Sequence, residues 1–421
     1  MAIIRAVKGF KDILPGETGK WRFVENKARE ILANFGVREI RTPLLERTEL
    51  FQRGIGAATD IVEKEMYTFR DRGDEYLTLR PEATASVIRA YLEHSMYAAD
   101  PVAKLFTIGP MFRRERPQKG RFRQFHQINV EFLGLDDPRV DGEIILLLTH
   151  FLKSVGLPNL GLEINSLGCP ACRPAFRAAI LECLAGKEAD LCEDCRRRLN
   201  VNPLRVLDCK VDTCREILTE APRLEDFLCA ACTDHFAAVR CILEEFGLSY
   251  KINPRMVRGL DYYTRTAFEV TTESLGAQNA VAGGGRYDGL VAELGGPDLT
   301  GIGFAVGMER LIALLPQDEE GFISRPQLFI AALGREAQAA AFTLGSRLKM
   351  RGLWVEMDYT GKSLKSQMKR ADRFGSRYVL ILGEKEMQER TAVLRSMAES
   401  TQENIAFADW EETLIKTIKT R

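Results

Sequence analysis

FTIGPMFRRERPQKGRFRQFHQINVEFLGL, residues 106–135, is the stretch around which the chain is organised. It opens as an apolar, strand-like run and then carries Arg113, Arg114, Arg116, Lys119, Arg121 and Arg123 against the single acid Glu115. A second strand-like run follows, reaching Glu131. Pro117 and Gly120 interrupt the middle, so the local reading is two strands joined by a long basic loop. Guanidinium groups fixed in such a loop grip phosphate through paired hydrogen bonds as well as charge. A solvated basic hairpin tip is the competing reading. Against it stands the interleaving of Phe122, Phe125 and His126 with Gln124 and Gln127, which supplies side chains for a buried face and for a ligand.

The chain has 421 residues, room for about two or three domains with separate cores. Lys and Arg number 59 and Asp and Glu 59, so a polyanionic partner must be met by local basic patches. The longest uncharged apolar run, Ile144 to Leu152, is too short to span a bilayer. Arg5, Lys8, Lys11 and Asp12 break any signal-peptide layout at the N-terminus. The expectation is a soluble, cytoplasmic protein without a membrane partner, whose ten cysteines serve as thiols or metal ligands.

Trp21, Val24, Ala28, Ile31 and Phe35 fall on one stripe, predicting a helix over Lys20–Phe35 closed by Gly36. VREIRTPLLE (37–46) reads as a strand broken at Pro43, hence an edge or a bulge; it suits a subunit contact or a buried strand end equally. MYTFRDRGDEYLTLRPEAT (66–84) predicts two strands about a turn at Arg72-Gly73-Asp74. Glu82 and Thr84, two apart, point the same way in an extended chain and suit a ligand's ammonium group. Alternatively, either one caps a helix over Ala85–Leu92.

Further on, VRGLDYYTRTAFEVTT (257–272) places Arg258, Asp261, Tyr262 and Tyr263 in a turn ahead of a strand. AVAGGGRYDGLVAELGG (280–296) and GIGFAVGMERLIALL (301–315) follow. Gly301, Gly303 and Gly307 fail the dinucleotide fingerprint: the third glycine is one residue late and no acid stands at the later position. They read instead as a closely packed strand before a helix opening at Met308-Glu309-Arg310. Arg310 then stands at a helix N-terminus, where phosphate is favoured.

Taken together, GPMFRRERPQKGRFRQFHQ, RGLDYYTRT, AGGGRYDGL and GIGFAVGMERL closely resemble the histidyl-tRNA synthetases of the bacterial type. VREIRTPLLE is similar to motif 1 of class II aminoacyl-tRNA synthetases, the Arg113 stretch to motif 2, and residues 301–311 to motif 3. The resemblance implies that Glu82, Thr84 and Gln127 hold the α-amino end of L-histidine, and that Glu131 and Tyr263, with Tyr262 alongside, meet its imidazole. It implies Arg113 at the α-phosphate and carboxylate, Arg310 at the γ-phosphate of ATP and Arg121 near the outer phosphates. Arg258 would stand beside the α-phosphate, doing work that a metal ion does in relatives. The implied ligands are histidine, ATP with Mg2+, and tRNA(His); the implied assembly is a homodimer through motif 1.

Cys169/Cys172, Cys192/Cys195 and Cys229/Cys232 are CxxC pairs, with Cys209/Cys214 a looser fourth. The gap between the first two pairs predicts one four-thiolate structural zinc site, Cys169, Cys172, Cys192 and Cys195, set against plain reduced thiols in a helical insertion. After Gly321, strand and helix alternate as in a small α/β domain, with Lys362, Lys365, Lys369, Arg370, Arg373 and Arg377 around its second helix. The resemblance makes this the anticodon-binding domain, with that cluster facing RNA.

The expected fold is a class II α+β catalytic domain with a six-stranded-type antiparallel sheet, a helical Cys-rich insertion and a C-terminal α/β domain. Its expected boundaries are 1–164 and 251–322 (catalytic), 165–250 (insertion) and 323–421 (anticodon-binding). Two rivals remain: the paralogue that regulates ATP phosphoribosyltransferase, and a zinc-stapled RNA-binding protein. The first typically lacks the C-terminal domain and parts of the two histidine signatures; the second leaves Glu82, Glu131, Arg258 and Arg310 unexplained.

Overall fold

A computed structural model describes residues 3–56, 59–118, 120–157, 159–272, 274, 280–316 and 321–420; Lys119 of the basic loop lies outside them. The chain divides into two units, Met1–Asp318 and Glu319–Arg421.

The first unit opens with α1 (Thr18–Asn34), which buries Trp21, Val24, Ala28, Ile31 and Leu32 on the stripe its spacing predicts. Pro43 then does more than interrupt a strand. It separates β1 (Arg38–Glu39), at the edge of the large sheet, from β2 (Leu45–Arg47), which belongs to another sheet. After α2 (Thr48–Ile55), that second sheet is completed by β3 (Tyr67–Arg70) and β4 (Tyr76–Leu79) in the order β2-β4-β3. The turn between β3 and β4 places Asp74 in the left-handed region, φ 65°.

Next come α3 (Thr84–Glu93), β5 (Ala103–Phe112), β6 (Gln124–Leu133), α4 (Pro138–Ser154) and β7 (Gly161–Ser166). Four helices follow: α5 (Arg173–Leu184), α6 (Glu193–Val201), α7 (Asp212–Ile217) and α8 (Ala230–Glu245). The unit closes with β8 (Lys251–Ile252), β9 (Thr264–Thr271), β10 (Ala280–Arg286), α9 (Leu290–Glu293), β11 (Gly301–Gly307) and α10 (Met308–Leu314). The large sheet runs β1-β5-β6-β11-β10-β9-β7-β8. Its middle six strands pair antiparallel, and the short β1 and β8 pair parallel at the edges.

Register decides what one face of this sheet carries. Gln127, Asn129 and Glu131 of β6 lie opposite Gly307, Ala305 and Gly303 of β11, and the last two lie opposite Gly283 and Gly285 of β10. Directly opposed residues share a face. The polar row of β6 therefore stands beside two strands with almost no side chains. A Cβ on Gly303 would lie 1.9 Å from Glu131 Oε2, and one on Gly285 2.6 Å from the Thr266 carbonyl oxygen.

Beneath β10, Arg286 is fully buried: it donates to Asp141 of α4 at 2.9 Å, to Asp288 at 3.1 Å and to the Leu135 carbonyl at 2.9 Å. His235 of α8 lies 3.5 Å from Asp141. Burial drops its pKa to about 4, so it is neutral there.

The second unit holds β12 (Leu328–Ala332), α11 (Arg335–Met350), β13 (Val355–Met357), α12 (Leu364–Arg373), β14 (Tyr378–Leu382), α13 (Glu384–Glu389), β15 (Thr391–Ser396), β16 (Gln402–Ala406) and α14 (Trp410–Thr420). Its sheet runs β13-β12-β14-β15-β16, and the central β12 is buried on both faces. In the basic cluster, Arg370 binds the buried carboxylate of Asp358 at 3.0 Å, so its charge is tied into the fold. Among the described residues, no helix is long and apolar enough to cross a membrane.

Asp141→Ala leaves the Arg286 guanidinium buried without its main counter-charge. The expected loss is about 3–5 kcal/mol of unfolding free energy, read from urea titration followed by circular dichroism. A variant within about 1 kcal/mol of wild type would show that the pair does not hold the sheet to α4.

Candidate active site

The face carrying Gln127, Asn129 and Glu131 opens into a cleft of about 320 Å³. It brings together Glu82, Thr84, Arg113, Arg121, Gln127, Glu131, Arg258, Tyr262, Tyr263 and Arg310, from segments far apart in the chain.

One set of groups in the cleft is carboxyl and phenol. Glu82 accepts the backbone N–H of Thr84 at 2.7 Å and of Ala85 at 2.9 Å. The same carboxylate therefore satisfies the first N–H groups of α3 and lines the cleft. Thr84 Oγ1 donates to Glu131 Oε1 at 2.7 Å, and the Tyr287 hydroxyl donates to Glu131 Oε2 at 2.6 Å. Desolvation nonetheless dominates, lifting Glu131 to about 8 and raising Glu82 as well. Tyr262 packs on Tyr263 at 4.7 Å and edge-on to Tyr287 at 5.7 Å. Burial raises all three phenols, which stay neutral hydrogen-bond donors. Gln127 Oε1 and Asn129 Oδ1 are buried and find no partner among the described residues. An unmet buried acceptor costs about 1–3 kcal/mol, so a pair of them in a cleft marks where ligand donors belong.

Guanidinium groups line the same cleft. Arg113 donates to the Pro81 carbonyl at 2.9 Å and lies 5.3 Å from the Phe125 ring centre. Arg121 pairs with Glu115 at 2.8 Å. Arg310 donates to the Ala280 carbonyl at 2.7 Å; burial, then repulsion from Arg121, lowers its pKa. Arg258 pairs with Glu269 and lies 5.5 Å from the Tyr263 ring centre. A Cβ on Gly283 would come within 2.6 Å of Arg258 Nη2, so glycine is what lets this guanidinium lie flat on β10. The Glu309 carboxylate accepts the His126 backbone N–H at 2.9 Å, tying the start of β6 to the helix that carries Arg310.

Sequence reading did not assign Asn129, Tyr287, Glu115, Glu269 or Glu309 to the site. Asn129 was accessible, because Gln127, Asn129 and Glu131 repeat every second residue along one strand face. Tyr287 stands within the AGGGRYDGL signature, but its contact is not local: the pairing of β10 with β11 brings its hydroxyl to Glu131.

The grouping of cysteines needs correction. Cys169/Cys172 do not meet Cys192/Cys195. The first pair gathers with Cys229/Cys232, and Cys192/Cys195 gather with Cys209/Cys214. Packing of α5 to α8, not proximity in sequence, decides which pairs meet.

The raised Glu131 has a pH signature. Its carboxyl ionises at the usual glutamate value in the unfolded chain but near 8 when folded, so between those limits the folded state holds one proton more. Stability from this group is greatest at low pH and declines by up to about 1.4 kcal/mol per pH unit from roughly pH 5 to pH 8. In Glu131→Gln that component of the slope is expected to vanish from urea midpoints measured across the range. Identical slopes in both proteins would exclude the elevated value.

Comparison with known proteins places this geometry. Residues 9–311 match the family model described as histidyl-tRNA synthetase, and residues 327–417 match that of an anticodon binding domain. A histidine–tRNA ligase of Geobacter sulfurreducens is 57% identical over 395 residues, spanning 94% of this chain and 95% of its own. That of Desulfosudis oleivorans is 54% identical over 420 residues, spanning 100% and 99%. The solved apo histidyl-tRNA synthetase of S. aureus superposes with a TM-score of 0.82 at 36% identity, covering 98% of this chain and 100% of its own. With four ordered signatures converging on one cleft and matches running nearly end to end, the chain belongs to the histidyl-tRNA synthetase family.

Proposed function

We infer that this chain activates L-histidine with ATP, forming histidyl-adenylate and pyrophosphate, and passes the histidyl group to the 3′ end of tRNA(His). The observation that carries the reading is the convergence in one cleft of buried carboxyl and phenol groups with four arginines.

In this reading Glu82, Thr84 and Gln127 hold the α-ammonium group, and Glu131, Tyr262 and Tyr263 surround the imidazole. An analogue without ring nitrogens would make no hydrogen bond to Glu131 or to the hydroxyls around it, which penalises it far more than a change of shape does. Arg113 and Arg258 flank the α-phosphate; Arg121 and Arg310 take the outer phosphates. The histidine carboxylate attacks the α-phosphorus in line while the bond to the pyrophosphate oxygen breaks. Charge moves onto groups that the arginines already face, so positioning and electrostatic stabilisation suffice and no side-chain nucleophile is needed. Each cleft carboxylate near the arginines is engaged: Glu115 by Arg121, Glu269 by Arg258 and Glu309 by the His126 N–H. Magnesium is assigned to the phosphates of the ATP substrate, as the resemblance to the family implies.

We assign residues 1–164 and 251–322 to activation, 165–250 to the insertion and 323–421 to the anticodon. The exposed Leu44 and Leu45 of motif 1 suit a homodimer contact, and a cytoplasmic site of action follows from the substrates. The regulatory paralogue is not favoured, because both histidine signatures and the C-terminal unit are present.

The test is exchange of labelled pyrophosphate into ATP with histidine against the other amino acids, followed by charging of tRNA(His). Exchange with histidine alone and then charging is the expected outcome; histidine binding without exchange would transfer the chain to the regulatory paralogue. Arg258→Ala is expected to lower the exchange rate constant by about 10²–10³ while histidine still binds. Unchanged exchange in that variant would remove Arg258 from the α-phosphate.

A further inference from the structure

We propose that the α5–α8 region carries two structural zinc ions in nested four-cysteine sites. The outer site is Cys169, Cys172, Cys229 and Cys232; the inner site, wholly within that stretch of chain, is Cys192, Cys195, Cys209 and Cys214.

Geometry carries the argument. In each quartet all four Sγ atoms lie within 4.8 Å of one another. Zinc–thiolate bonds of about 2.3 Å in a tetrahedron put neighbouring sulfurs about 3.8 Å apart. The outer quartet shows 3.6 Å for Cys169–Cys172 and 3.9 Å for Cys169–Cys229, and the inner shows 3.8 Å for Cys192–Cys209. These separations are far beyond a disulfide bond of about 2.05 Å. The compactness of each quartet matches a single central ion better than a polynuclear iron–sulfur cluster, whose ligands must embrace several irons.

The surroundings are built as well. The Cys229 N–H donates to Cys172 Sγ and the Cys192 N–H to Cys214 Sγ, both at 3.2 Å. Such bonds stabilise charged thiolates and orient them. Four thiolates around Zn2+ leave a net double negative charge, and an arginine follows closely on a cysteine of each quartet in the chain: Arg173 directly after Cys172 and Arg198 three residues after Cys195. Cys183 and Cys241, the two remaining cysteines, belong to neither quartet.

Stability supplies the need. The helices between the outer pairs run 12, 9 and 6 residues, and their small core already counts Cys195, Cys209 and Cys214 among its members. Helices that short are marginal without a staple. Two ions closing nested loops would supply one, because the free energy of binding metal is then free energy of folding. The outer ion has a further reach. Arg173 follows directly on Cys172 and donates to the Tyr263 carbonyl, so the staple sits one side chain away from the cleft wall.

The experiment uses full-length protein purified under reducing conditions without chelator. Elemental analysis is expected to find two zinc ions per chain and no stoichiometric iron. Cys172→Ser with Cys232→Ser, and separately Cys195→Ser with Cys214→Ser, is each expected to retain one. As a measurement that does not depend on variants folding, cobalt(II) exchanged into the wild-type chain should saturate at two equivalents with the charge-transfer bands of tetrahedral tetrathiolate. Zinc at one per chain or below, iron in its place, or cobalt without those bands would overturn the proposal.

Discussion

The buried pair of Arg286 and Asp141 is the interaction on which the rest of the first unit depends. Neither charge has water to fall back on, so each is tolerable only because the other is in place. The pair locks the end of β10 onto α4, and the adjoining residues distribute that anchorage. Tyr287, next in sequence, sends its hydroxyl to Glu131 on the cleft side. Asp288 offers its N–H to Thr264 at the start of β9 and accepts the Gly301 N–H at the start of β11. Three consecutive residues thus tie the sheet to its supporting helix, to its neighbouring strands and to the one carboxyl on which ligand selection is proposed to turn. His235 adds α8 to the same knot as a neutral imidazole.

A second constraint follows from the register this knot enforces. Glu131 lies flat against β11 and the Arg258 guanidinium flat against β10 only because glycine stands at 303 and 283. Glycine within a strand is a weak choice for the strand itself, since it adds chain entropy and packs nothing. That loss is accepted here because the floor of the cleft must be backbone. The glycines that imitate a dinucleotide fingerprint are therefore strand residues making room for side chains, and their spacing answers to strand alternation instead of to a phosphate loop.

Much of this was legible in the residues. The stripe of α1, the hairpin of β3 and β4 and the glycine-rich strands follow from local patterns, while the antiparallel catalytic sheet is what the resemblance to class II synthetases implies. Glu82 was ambiguous between cap and ligand group because an extended-chain argument and a capping argument use the same atoms; in the fold its carboxylate accepts the first N–H groups of α3 and lines the cleft. What could not be read was anything decided by long-range pairing. Cysteine spacing shows that pairs exist, but which pairs meet depends on how four short helices pack. Tyr287 reaches Glu131 across a strand register, and Arg370 loses its freedom to Asp358 through the folding of a separate unit.

The electrostatics of the cleft give the proposed chemistry its direction. Arg310 is held below its ordinary pKa by burial and by Arg121. Glu131, by contrast, is held above its ordinary pKa, with Thr84 and Tyr287 each occupying one lone pair of a separate oxygen. Near neutral pH such a carboxyl lies close to its midpoint and can either give or accept a proton. Neutral imidazole presents one donor and one acceptor nitrogen. A group poised between the two protonation states can therefore complement either nitrogen, whereas a fully ionised carboxylate at the surface would favour any cation. Selectivity for histidine, on this reading, comes from the cost of burying Glu131, and the glycine at 303 is what makes that burial sterically feasible.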